Sequence, residues 1–355
     1  MILDQCASES LLSWFFANRR KMPWREDPTP YHVYVSEIML QQTRVEAATP
    51  YYLRFIGELP DVRTLAACEE ERLLKLWEGL GYYSRARNMK HSAEICVREY
   101  GGEIPEDREA LLRLPGIGSY TAGAILSIAY HQPEPVVDGN VLRVLSRLSG
   151  SERDIADPKT KAFFEEDLRA FLRDFADTKD HDPGALNQAL MELGALRCLP
   201  NGAPKCGTCP WKDRCEAHLQ GRTEELPVKI PKKARETVDK TVFIVQTGKG
   251  TAFVKNSRKG LLSGLYGLPE VPGHLSKEDA ETLFQGAGAE IRPLPTKIHI
   301  FTHLEWHMKA FLVKLKDGAE LPPFLKEAAF VTEEEAERAF PVASAYRKWE
   351  LFGDL

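Results

Sequence analysis

The sequence predicts two domains: a mostly α-helical N-terminal domain and a smaller α+β domain after it. Three observations carry this. Apolar residues recur at helical spacing almost throughout residues 1–220, and no run there alternates as a strand would. Residues 216–240 lose that periodicity and become rich in Glu, Lys and Arg, with Pro227 and Pro231 among them. Beyond them, 241–245, 251–254 and 309–313 are short apolar runs rich in Val, Ile and Phe, with helical patterns at 276–287 and 332–340. The expected organisation is a helical domain over 1–220, a linker over 221–239 and an α+β domain over 240–355.

The bulk properties narrow the class. At 355 residues the chain is long enough for two domains, and 43% hydrophobic with 28% charged residues is the composition of a soluble globular protein. A net charge of −5 argues against coating nucleic acid through bulk charge, while leaving room for a local basic face. Residues 1–10 show no basic stretch leading into an apolar one, and no run approaches the roughly 18 apolar residues of a membrane span. A cytoplasmic protein with no membrane association is expected.

The first helix is expected over 8–20, where Leu11, Leu12, Trp14, Phe15 and Phe16 alternate with polar residues. Met22, Pro23, Trp24 and Arg25 break it, and Thr29-Pro30 opens the next. That second helix carries Glu37 among Val33, Val35, Ile38, Met39 and Leu40. A carboxyl in apolar surroundings loses solvation, so its pKa rises and it can hold a proton near neutrality. The competing reading is a helix-surface Glu paired with Arg44. Gln41, Gln42 and Thr43 follow, as side chains able to hydrogen-bond base edges or as a solvated helix end.

Residues 69–100 read as two helices split at 79–83. The split exposes Leu80 and Tyr82 between glycines, as a wedge between stacked bases would be presented. Arg85, Arg87 and Lys90 follow as phosphate contacts would. The plainer alternative packs the aromatic ring inward.

Residues 114–126 form a glycine-rich hairpin between two helices. Gly116 and Gly118 allow positive φ and leave amides uncovered at a helix N-terminus, which suits an anion. No P-loop lysine is present, so a nucleic-acid phosphate fits better than a nucleotide pocket, with a tight turn between core helices as the alternative. Just beyond, Asp138 precedes a helix with Arg143 and Arg147 on one face. Further helices are expected over 158–177 and from Asp182-Pro183-Gly184 to Leu196.

Cys198, Cys206, Cys209 and Cys215 lie together, whereas Cys6, Cys68 and Cys96 are scattered. In a reducing compartment such a cluster suggests a metal site before disulfides. One C-x-x-C knuckle flanked by lone cysteines leans towards a [4Fe–4S] cluster, with zinc left open.

The segment 36–43, the hairpin with 137–140 and the four-cysteine cluster together resemble the helix-hairpin-helix DNA glycosylase superfamily, and within it the MutY-like adenine DNA glycosylases. The resemblance spans 8–218, and the layout of 240–355 agrees with it. It implies a helix-hairpin-helix glycosylase domain with a [4Fe–4S] cluster, plus a Nudix or MutT-like domain. Enzymes of that family flip adenine mispaired with 8-oxoguanine or guanine out of duplex DNA and hydrolyse its N-glycosidic bond.

By match to the family's motifs, Glu37 protonates the adenine and Asp138 stabilises the positive sugar, with Tyr120 and Asn140 beside it. Trp24, Arg25 and Gln188 match positions near the extruded adenine. Gln42, Thr43, Leu80 and Tyr82 match the wedge and the surroundings of 8-oxoguanine, as do Thr302 and His303 in the second domain. The amides of Gly116 and Gly118 hold the DNA backbone, and the four cysteines hold the cluster. Endonuclease III-like relatives place a lysine where Tyr120 stands; tyrosine cannot form their Schiff base, so a monofunctional glycosylase is implied. The second domain lacks the glutamate-rich helix of a true Nudix hydrolase, which implies that it reads the opposing base.

The chain departs from the family in a first cysteine gap of seven residues, longer than usual, and in the single basic residue Lys205 within it. The resemblance implies a monomer bound to double-stranded DNA, associated with the nucleoid of a bacterial cytoplasm. Two alternatives are carried forward: a superfamily glycosylase for oxidised pyrimidines or thymine mismatches, and a non-catalytic iron–sulfur DNA-binding protein.

Overall fold

The computed structural model describes residues 2–178, 181–230, 235–257 and 260–353. The chain divides into two compact units, residues 1–68 with 87–231 and residues 69–86 with 232–355. Among the described residues the first unit is helical and contains no strand.

Three of its helices begin where a short polar side chain meets proline. Thr29, Asp157 and Asp182 cap Pro30–Leu40, Pro158–Ala176 and Pro183–Leu196, each accepting a hydrogen bond from a first-turn amide. The proline beside each cap is pre-set for the first helical position and lacks an N–H that would go unbonded there. The apolar faces of Gln5–Asn18, Gly139–Ser149, Pro158–Ala176 and Pro183–Leu196 meet in one core, with Leu11, Phe15, Val141, Phe164 and Leu190 inside. Trp211 joins that core, and its indole N–H donates to Ala7 O at 3.0 Å. The cysteine segment is thereby tied to the first helix.

The hairpin forms as expected. Asp107 caps Arg108–Arg113, and Gly118 precedes Ser119–Ala124, which continues into a π-helical turn over Ile125–Ala129. Only Gly116 uses a positive φ, at 79°, and a Cβ there would sit 2.9 Å from Asn88 Cβ. Gly118 is a correction to the sequence reading: its φ of −103° is open to any residue, and an added Cβ would meet no protein atom within 4 Å. A side chain at 118 would therefore project into open space.

Pro183–Leu196 lies hard against the π-helical turn. A Cβ at Gly184 would fall 2.4 Å from Ser127 O and 2.8 Å from Ile128 Cα, both main-chain atoms that cannot swing away. Gly184→Ala is expected to cost about 2–3 kcal/mol as overpacking. That is a fall of about 4–12 °C in Tm, measurable by calorimetry on the intact chain. An unchanged Tm would contradict this close packing.

The stretch read as a linker is docked over its first part. Leu226 is buried, its carbonyl accepts from Arg147 Nε at 2.8 Å, and Val228 O accepts from Ile155 N at 3.0 Å. Residues 231–234, including Pro231, lie outside the described residues.

The second unit is built on one sheet. Its strands are β1 (Glu236–Thr247), β2 (Gly250–Lys255), β3 (Tyr266–Gly267), β4 (Glu270–Pro272), β5 (Glu290–Ile300), β6 (Leu304–Lys314) and β7 (Ala329–Val331). The order is β3-β2-β1-β6-β5, with β4 on β1 and β7 on β2. β1 and β6 run parallel, from Glu236 opposite Leu304 to Gln246 opposite Lys314. Phe243 and Phe311 from this central pair pack with Phe284 and Leu325 in the core. β5 was not legible in the sequence because Pro293 and Pro295 interrupt it. Proline is confined to edge strands and bulges, and β5 is an edge strand with a register shift between Leu294 and Lys297.

Residues 69–86, which the sequence reading placed in the helical domain, belong to this second unit. Lys75 Nζ donates to Ala336 O at 2.9 Å, Glu71 pairs with Lys255 at 2.6 Å, and Glu78 accepts from Val342 N at 3.0 Å. Such pairings of charged side chains leave no trace in hydrophobic periodicity.

Candidate active site

Four segments of the first unit converge on a cleft of about 710 Å³: the turn around Trp24, the helix bearing Glu37, the hairpin helix, and the N-terminus of Gly139–Ser149. Pro183–Leu196 supplies a further wall through Gln188, Met191 and Glu192.

Glu37 is 7% exposed. Its Oε2 accepts from the Tyr120 hydroxyl at 2.5 Å. Burial pushes its carboxyl up to about 7. The Tyr120 bond and the charge of Arg25 oppose that rise, while the charge of Asp138 adds to it. A carboxylic acid titrating near neutrality is matched to proton donation at working pH. Tyr120 is half-buried, and its phenol is pushed well above its ordinary value, by desolvation first and then by the charges of Glu37 and Asp138. It therefore stays protonated and donates.

Asp138 stands at the N-cap of Gly139–Ser149. Oδ1 accepts from Asn140 N at 2.9 Å and Val141 N at 2.8 Å, and Oδ2 accepts from Asn140 Nδ2 at 2.8 Å. The carboxylate is thus clamped in one orientation at the positive end of a helix. Asn140 is held in turn: its Oδ1 accepts from Arg143 Nη2 at 2.9 Å, and that guanidinium also donates to Gly194 O at 2.8 Å and Cys198 O at 2.7 Å. The sequence reading put Arg143 and Arg147 on one face; the structure buries both, and Arg147 donates to Cys198 Sγ at 3.3 Å. Hydrogen bonds therefore run without a break from the cysteine segment to Asp138.

Trp24 is 6% exposed and packs edge-on to Tyr52 with ring centroids 5.2 Å apart. Arg25 donates to Glu192 Oε2 at 3.1 Å, and Gln42, at a φ of 59°, lines the cleft with Thr43. Of the expected site residues, Glu37, Asp138, Tyr120, Asn140, Trp24, Arg25, Gln42, Thr43 and Gln188 share this one cleft. Leu80, Tyr82, Thr302 and His303 belong to the second unit. There the Tyr82 hydroxyl lies 2.7 Å from Thr302 Oγ1.

Two expectations need correction. Leu80 is not an exposed tip; it is 7% exposed, whereas Tyr82 is 47% exposed. The turn folds back on itself, with Trp77 Nε1 donating to Gly81 O at 3.0 Å and Arg85 Nη2 to Leu80 O at 3.2 Å. Nor is Arg85 placed for phosphate, because it is buried by the rings of Trp77 and Tyr82. Lys90 is likewise taken, donating to Ala66 O and Glu94.

The four cysteines line one small cavity with Arg147. Burial raises the Cys209 thiol to about 11, and the neighbouring cysteines are close enough to add to that rise. Among the described residues no three His, Cys, Asp or Glu side chains close around a single ion. Four cysteine side chains around a common space are a donor set suited to a metal or iron–sulfur centre.

Sequence reasoning missed Glu192 and Arg20. The signal was available: Glu192 sits in the apolar run Leu190-Met191-Glu192-Leu193, one helical turn past Gln188.

Comparison with known families agrees with this geometry. Residues 35–170 match the profile of the HhH-GPD superfamily of base excision DNA repair proteins, and residues 241–349 match the NUDIX domain. A thermostable thymine-DNA glycosylase superposes with a TM-score of 0.52 at 25% identity, covering 60% of this chain and 95% of that one. Endonuclease III in a complex with DNA shares the fold, with a TM-score of 0.50 at 22% identity over 61% of this chain and 95% of that one. The fold and cleft thus define a base excision DNA repair protein of the helix-hairpin-helix glycosylase class.

Relatives resolve the class further. The adenine DNA glycosylase of Rattus norvegicus is 34% identical over 96% of this chain and 76% of its own length. That of Buchnera aphidicola from Acyrthosiphon pisum is 34% identical over 90% and 89%, and that of Homo sapiens 32% identical over 96% and 72%. The chain belongs to the adenine DNA glycosylase family.

Proposed function

We propose that this protein excises adenine paired with 8-oxoguanine or guanine in duplex DNA, by simple hydrolysis that leaves an abasic site. The observation that carries the reading is the pairing of a buried Glu37, its carboxyl pushed up to about 7, with a clamped, helix-capping Asp138 in one cleft. The flipped nucleotide enters that cleft, beside Trp24, Arg25 and Gln188. Glu37 gives its proton to a ring nitrogen of the adenine as the N-glycosidic bond breaks. The bonding electrons leave with the base, which departs neutral. Asp138 stabilises the positive charge that develops on the sugar, and water then adds at C1′. Tyr120 holds the Glu37 carboxyl, and Asn140 holds Asp138.

In this reading the hairpin amides at Gly116 and Gly118 meet the DNA backbone, and Tyr82, Thr302 and His303 face the opposing base. Cys198, Cys206, Cys209 and Cys215 hold a [4Fe–4S] cluster. Bound there, the cluster supplies a cross-link that fixes the end of Pro183–Leu196 and, through Arg143, the Asn140–Asp138 pair. Among the described residues no helix is long and apolar enough to cross a membrane. A reducing cytoplasm containing the chromosome suits both the substrate and the four thiols.

The test is single-turnover reaction of the whole chain with A:8-oxoguanine, A:G, A:T, G:T and oxidised-pyrimidine duplexes. Free adenine from the first two, with strand breaks appearing only after alkali, is expected. Borohydride should trap no covalent adduct, since Tyr120 offers no amine. Release of thymine or an oxidised pyrimidine instead would favour another superfamily chemistry.

A further inference from the structure

We propose that Glu192 is a positioning residue of the adenine cleft: it holds Arg20 and Arg25 in the cleft wall and offsets their positive charge, so that Glu37 remains in its proton-donating form. This inference rests on the proposed role of Glu37 as the acid.

The geometry is built rather than incidental. Glu192 is 1% exposed. Its Oε1 accepts from Arg20 N at 3.0 Å and Arg20 Nε at 2.8 Å. Its Oε2 accepts from Arg20 Nη2 and Arg25 Nη2, both at 3.1 Å. Arg25 Nη1 donates back to Arg20 O at 3.1 Å, and its guanidinium lies 5.6 Å from the Phe15 ring centre. One carboxylate therefore fixes two guanidinium groups. Burial pushes the Glu192 carboxyl up, yet the bonds from Arg20 and the charge of Arg25 outweigh it and keep the group ionised.

The consequence for Glu37 follows from the charges around it. Tyr120 bonds it from the hairpin helix, Asp138 faces it from the start of Gly139–Ser149, and Arg25 faces it from Pro23–Glu26. Arg20, Arg44, Glu46 and Glu192 complete the charged and acidic wall of the cleft. Arg25 works against the protonated form of Glu37. Two arginines without a counter-charge would do so more strongly; Glu192 removes one of those two charges.

The test is the pH profile of single-turnover adenine release from an A:8-oxoguanine duplex, with parent, E192Q, E192D, R20Q and the R20Q/E192Q double variant. With E192Q the alkaline limb is expected to move to lower pH by about half a unit, so its rate relative to the parent falls about threefold further between about pH 6 and about pH 8. E192D keeps the charge and should leave the limb in place even if the rate drops. R20Q should move the limb to higher pH, and the double variant should return it to the parent position. Loss of rate by the same factor at every pH in E192Q, or an unmoved limb in R20Q should E192Q not fold, overturns the inference and leaves a structural role. A parent enzyme with no alkaline limb would instead overturn the reading of Glu37 itself.

Discussion

Glu37→Gln is expected to lower single-turnover adenine release by about a thousandfold or more, the scale of a lost general acid. Binding of an A:8-oxoguanine duplex should persist, because the amide retains the shape of the side chain and an oxygen to accept from Tyr120. The same change should stabilise the fold in alkaline solution. The Glu37 carboxyl is pushed up to about 7 by burial, so its favourable protonated state is fully present at low pH and is lost as pH rises through about 7. Above that the parent carries a buried charge and the Gln variant does not. The gain is of order 3 kcal/mol at most, seen as a higher Tm at about pH 8 and little change at about pH 5. Equal Tm values at both would contradict the buried-acid assignment.

Asp138→Asn should separate charge from capping. Asn caps a helix as well as Asp, so the bonds from Asn140 N and Val141 N can survive. The other oxygen becomes a donor facing Asn140 Nδ2, which cannot turn away because Asn140 Oδ1 is bound by Arg143. That mismatch costs about 1–2 kcal/mol. The loss of negative charge beside a developing cation is the larger effect, and we expect a fall of about a thousandfold in single-turnover rate. A rate within tenfold of the parent, in folded protein, would remove Asp138 from the chemistry.

These two carboxylates were legible in the sequence for different reasons. Glu37 stood out as a charge inside an apolar run, and Asp138 as a cap before a helix. Tyr120 carried no pattern of its own and drew attention only through family resemblance. Three helices were readable too, since their starts are marked by Thr-Pro and Asp-Pro pairs. The failures share a cause. Leu80 and Arg85 looked exposed because a glycine-flanked turn hides where its side chains fold. β5 was hidden by its prolines, and the membership of residues 69–86 by side-chain-to-backbone pairs made far along the chain. Glu192 offered the same signal as Glu37, but its meaning depended on Arg20 and Arg25, which only the fold brings to it.

The most direct measurement is the rate of adenine release from an A:8-oxoguanine duplex by the whole chain under single-turnover conditions, followed across pH. The expected profile is flat or rising below neutrality and falls tenfold per pH unit above about 7, as Glu37 loses its proton. A rate that holds constant or climbs through about pH 8 would contradict the account, because the group that must give the proton would by then have none to give.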